Sequence, residues 1–117
     1  MFGPDEAADV FPAAIQAALD TLPEELREAM SNVEILVEDQ SPRGPGVLGL
    51  YEGIPLTKRG AHYNMTLPDR IAIFRGPLQR ISIDETDLST RIAHVVRHEI
   101  AHYFGISDDR LREIDAY

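Results

Sequence analysis

The chain has 117 residues, 44% hydrophobic and 26% charged, the make-up of one globular domain with a single core. Eleven basic side chains against twenty acidic ones leave a net charge of −9, a surface that repels a phosphate backbone and argues against nucleic acid as a partner. Cysteine is absent, which excludes disulfide scaffolds, thiolate zinc sites and cysteine nucleophiles, so a zinc site here must use histidine, carboxylate and water.

The opening Met1-Phe2-Gly3-Pro4-Asp5-Glu6 has neither a basic n-region nor an apolar h-region. No run approaches the roughly eighteen apolar residues of a membrane span. The expectation is a cytoplasmic protein without membrane contact, with residues 1–117 forming one domain.

Residues 9–30 read as helical, because Val10, Phe11, Ala14, Ile15, Ala18, Leu19 and Leu22 recur at three- and four-residue steps. Pro12 is expected near the first turn, where its missing N–H costs nothing. Thr21 with Glu24 reads as a capping box, which starts a second short helix over residues 23–30. Both helices are expected to serve packing alone.

The β-branched run Val33-Glu34-Ile35-Leu36-Val37 predicts a strand, and the glycine- and proline-rich residues 39–46 a turn. A second strand is expected over residues 47–51. Residues 54–69 have no clear period and read as a loop. Ile71-Ala72-Ile73-Phe74 predicts a third strand ended by Gly76-Pro77, and Ile81-Ser82-Ile83 a short fourth.

The C-terminal third is the most informative. Leu88, Ile92, Val95, Val96, Ile100 and Phe104 predict a helix over residues 87–104 that is buried around much of its circumference. Asp84, Thr86 and Asp87 are candidate caps and Gly105 is a natural stop, with one more short helix after Asp108. Inside the long helix lies His98-Glu99-Ile100-Ala101-His102. Residues four apart share a helix face, so two imidazoles can hold one zinc ion from the same side. Glu99, beside the first of them, then reaches metal-activated water as general base.

Gly105 and Asp108 extend the pattern to H-E-x-x-H-x-x-G-x-x-D. A left-handed Gly105 turns the chain sharply and can return Asp108 to the metal as a third ligand. Asp109 is the rival ligand, and a plain N-terminal helix acid is the alternative role for Asp108. His94 lies one turn before His98 but about 12 Å from His102 at 1.5 Å per residue, too far to share one ion, so it reads as a cleft-lining or hydrogen-bonded histidine. His62 reads as a surface residue, and Tyr51, Tyr63 and Tyr103 are candidates to stabilise an oxyanion.

With these residues in place, the sequence resembles the zincin metallopeptidases, specifically a minimal bacterial family of zincin-like metallopeptidases. Leu48-Gly49-Leu50-Tyr51-Glu52-Gly53-Ile54-Pro55-Leu56, Leu67-Pro68-Asp69-Arg70-Ile71-Ala72-Ile73-Phe74-Arg75-Gly76-Pro77-Leu78 and Gly105-Ile106-Ser107-Asp108-Asp109-Arg110-Leu111 resemble that family's other segments. The resemblance implies an α+β zincin-like fold, a small mixed sheet packed on a central active-site helix with N-terminal helices. It implies zinc on His98, His102 and Asp108, Glu99 as catalytic base, and a peptide or protein as substrate. Arg97 departs from the family where an apolar residue is expected. The methionine turn of the broader metzincins is also missing, since Met1, Met30 and Met65 all precede the motif. Two other functions fit the same residues: a metal-stabilised binding module without turnover, and a zinc hydrolase of a non-peptide amide. A substrate peptide is expected to pair along an exposed strand edge, for which residues 71–74 are the candidate.

Overall fold

A computed structural model describes residues 4–30, 32–53 and 69–113. Two N-terminal helices, α1 (Pro4–Asp20) and α2 (Glu24–Ala29), precede strand β1 (Val33–Glu38). Strands β2 (Gly49–Glu52) and β3 (Asp69–Phe74) follow, then helices α3 (Arg75–Ile81), α4 (Glu85–Tyr103) and α5 (Asp108–Glu113). The loop expected over residues 54–69 lies outside the described residues apart from Asp69, as do His62 and Tyr63.

The three strands form one mixed sheet in the order β1-β3-β2, with β1 parallel and β2 antiparallel to β3. This is the expected α+β arrangement, but β3 is its centre and not an edge. Ile71 and Ile73 are fully buried, since strands flank β3 on both sides and helices cover one face. Among the described residues the edge strands are β1 and β2. On the inner face Val33, Ile35, Val37, Ile71, Ile73 and Tyr51 join the apolar stripes of α1 and α4 in one core. Phe11, Ala18, Leu88, Ile92 and Val96 have no exposed surface, and α1 packs directly on α4. Each large side chain among them contributes about 1.5–3 kcal/mol through burial.

Several local expectations are corrected. Because α1 begins at Pro4, Pro12 stands in the helix interior and removes one hydrogen bond there. Thr21 does not cap α2; its hydroxyl donates to the Ala18 carbonyl at 2.6 Å, closing the end of α1 instead. Gly76 and Pro77 do not end β3 in a turn but lie in the first turn of α3, where an absent N–H leaves no helical bond unmade. The expected fourth strand is the end of α3: Ile81 is its last residue, and Ser82 bonds back through its hydroxyl to Leu78 O at 2.7 Å. Among the described residues no helix is long and apolar enough to cross a membrane.

Candidate metal centre

Helix α4 is fixed at both ends by side chains and backbone that the sequence places there. Asp84 accepts a hydrogen bond from the Asp87 N–H at 2.7 Å, and Asp87 accepts one from the Ile83 N–H at 3.0 Å. That backbone donor, and then Arg91, hold the Asp87 carboxyl below its ordinary pKa. At the other end Gly105 has φ +84°, Gly105 N–H donates to His102 O and Ile106 N–H to Ala101 O, both at 2.9 Å. These two bonds are the Schellman pair, and they fold the chain back over the last turn of α4.

The reversal does two things for His102. Its Nδ1–H donates to the Ile106 carbonyl at 3.0 Å, which places the proton on Nδ1 and the lone pair on Nε2. It also sets the start of α5 opposite the two rings. Ser107 caps α5 by accepting from Arg110 N–H at 3.2 Å, so Asp108 does not have to fill that role. Asp108 Oδ1 stands 3.1 Å from His98 Nε2 and 3.0 Å from His102 Nε2, and the two Nε2 atoms are 3.2 Å apart. Asp109, the rival acid, is exposed.

Three donor atoms therefore converge at mutual distances of 3.0–3.2 Å. Donors about 2.0–2.1 Å from one tetrahedral ion lie roughly 3.3 Å apart. The triangle is thus of the size a zinc-sized cation spans. Asp108 Oδ1 is shut off from solvent and has no well-angled hydrogen-bond donor, which also suits a cation at the centre. Burial, and then the neighbouring His102, push the His98 pKa down, keeping its imidazole in the neutral form that ligates. Two imidazoles and a carboxylate without thiolate are a donor set that zinc accepts.

Glu99 lies beside this triangle in a nearly closed position, 8% exposed. One donor atom from each of His98, Glu99 and His102 falls within 4.8 Å of the others. Burial raises the Glu99 pKa, opposed by the nearby His102 and by the Tyr51 backbone N–H. A carboxylate made more basic by its surroundings is suited to accept a proton. Glu99 and His98 border a cleft of about 250 Å³ whose other walls are Leu48, Gly49, His94 and Val95. His94 is therefore a cleft residue, as expected. Of the tyrosines, Tyr51 donates its hydroxyl to Asp69 at 2.7 Å and Tyr103 to Ala29 O at 2.8 Å, so both are engaged in structural bonds.

Gly49 is a site residue that the sequence reading misses, although an isolated glycine in a strand is the usual sign of close backbone approach. A Cβ there would stand 2.5 Å from Val95 Cγ1 and 3.3 Å from Glu99 Cγ. The bare backbone lets β2 lie directly on α4 over Glu99. Gly49→Ala should cost about 1–3 kcal/mol through overpacking and displace Glu99. Urea unfolding of the two proteins reads the first effect, and an unchanged midpoint would contradict the close contact.

Residues 28–117 match the family described as zincin-like metallopeptidase. No curated protein matches the chain. Among solved structures, a conserved hypothetical protein from T. thermophilus is similar at a TM-score of 0.57 and 21% identity, covering 84% of this chain and 94% of that one. That likeness supports the fold. The matched span takes in all three strands, α4 and the whole histidine motif, and the chain belongs to the zincin-like metallopeptidase family.

Proposed function

We propose that the chain is a single-domain zinc metallopeptidase that hydrolyses peptide bonds. The observation that supports this most is the convergence of His98 Nε2, His102 Nε2 and Asp108 Oδ1 within 3.2 Å, beside a buried Glu99 that borders a cleft. His98 and His102 would hold zinc as neutral imidazoles and Asp108 would complete the protein ligands. Zinc, when bound, supplies a Lewis acid that polarises a carbonyl and acidifies water. Glu99 accepts the proton of the attacking water and passes it to the leaving amine. The Ile106 carbonyl keeps His102 in its ligating tautomer throughout. A peptide would lie extended along β2, an edge strand among the described residues, whose entry at Leu48 and Gly49 forms a wall of the cleft.

The ligand set is tested by paired substitutions. Asp108→Ala should weaken zinc binding by orders of magnitude, whereas Asp109→Ala should change it less than about threefold, as for a surface charge. Competition with a chromogenic chelator measures both; a larger loss in Asp109→Ala would move the third ligand by one residue. The peptidase reading is tested with a diverse peptide library and mass spectrometry. Zinc-loaded protein that cleaves nothing in the library would instead support a metal-stabilised binding module.

A further inference from the structure

The face of α4 that carries the histidines does not end at the metal centre. One turn upstream of His98 stands His94, with ring centroids 6.3 Å apart, and before it Arg91 and Thr90. The cleft continues in this direction into a depression of about 370 Å³, sharing Leu48, His94 and Val95 with the first and adding Thr90, Arg91 and Arg97. Its floor is apolar and its rim carries two guanidinium groups. In a chain with net charge −9, this concentration of positive charge next to the candidate centre runs against the overall balance.

Among the described residues the one acid lining this depression is Asp87, and its charge is already committed. Its carboxylate accepts the Ile83 N–H and pairs with Arg91 Nε at 3.1 Å. That pairing steadies Arg91 through its Nε. Arg97 is exposed and lines the same depression. The rim residues Arg91, Arg97 and Asp87 together therefore keep one positive charge in excess.

Resting on the peptidase reading, we propose that this depression selects substrates bearing a carboxylate on one side of the bond to be cut. Helical rise puts residue 91 about 10 Å and residue 94 about 6 Å from residue 98 along the axis. An extended peptide advances about 3.3 Å per residue, so the acidic group stands about one to three residues from that bond. Arg91 and Arg97 hold it by charge-assisted hydrogen bonds, and Leu48 and Val95 carry the intervening chain. The carboxylate is either an Asp or Glu side chain or the free C-terminus of a short peptide.

The test uses binding, so it does not depend on turnover. Zinc-loaded protein carrying Glu99→Gln is titrated with fluorescent ten-residue peptides in matched sets: Asp against Asn at each position, and free against amidated C-termini. Acidic peptides should bind about ten-fold more tightly than their amide partners. Preference that follows Asp identifies a side-chain carboxylate, and preference that follows the free end identifies the terminal one; either supports the site. Adding Arg91→Gln and Arg97→Gln should erase the preference while leaving amide-peptide affinity and zinc content unchanged. Arg97→Glu alone, which leaves the Asp87–Arg91 pair intact, should reverse it. Equal binding of acidic and amide peptides, or a preference that survives these changes, overturns the proposal and leaves the peptidase reading intact. Failure of every peptide to bind zinc-loaded protein overturns both.

Discussion

Replacing Glu99 with glutamine should leave the fold and the zinc in place while lowering peptide hydrolysis by about 10²–10⁴-fold or more. The substitution preserves side-chain size in a position that is 8% exposed and tightly bounded by Gly49. What changes is the proton acceptor. Burial makes the carboxylate more basic than usual, and an amide has no such basicity to offer. Cleavage of library peptides by both proteins, with zinc content measured in each, gives the comparison. Equal rates would remove Glu99 from the role of base. Loss of zinc together with rate would mean that Glu99 is itself a ligand, which its donor atom within 4.8 Å of both histidines makes worth checking.

The second large effect concerns the histidines. His98→Ala or His102→Ala removes one corner of a triangle whose sides are 3.0–3.2 Å, and the remaining pair should no longer retain zinc through dialysis. Wild-type protein should keep close to one ion per chain. Because zinc binds the folded state, an excess of about a thousand-fold over Kd adds about 4 kcal/mol of stability. That corresponds to a rise in Tm of roughly 10 °C or more for a domain of this size. Neither variant should show the rise. Full zinc occupancy in the double variant would place the metal elsewhere.

How far the sequence discloses this molecule depends on how local each feature is. Helix α4, its Asp84 cap and its Gly105 stop are all readable from neighbouring residues, since helical hydrogen bonds and caps span four or five positions. The approach of Asp108 to the histidines follows from the same short turn. The position of β3 in the sheet is not readable this way. Strand pairing joins Val33 to Asp69 and Gly49 to Ile73, and nothing in a strand's own residues says whether one neighbour or two will cover it. Helix α3 is obscured by Gly76 and Pro77, residues that stop a helix in its interior but are harmless in its first turn. Thr21 has a cap-forming side chain that finds a nearer acceptor in Ala18 O. The wall of the cleft at Gly49 depends on a contact with α4 some fifty positions away, and only the strand glycine hints at it.

The Schellman turn at Gly105 also has a kinetic consequence. All three converging donors lie within residues 98–108, so closing the ligand loop costs little chain entropy once α4 is packed in the core. Capture and release of an ion can then proceed by fraying and re-forming of a short segment, while the rest of the chain stays folded. Exchange of zinc with a chelator should accordingly be faster than global unfolding. Amide hydrogen exchange should become slower on zinc addition in residues 101–110 well before any change is seen in β3.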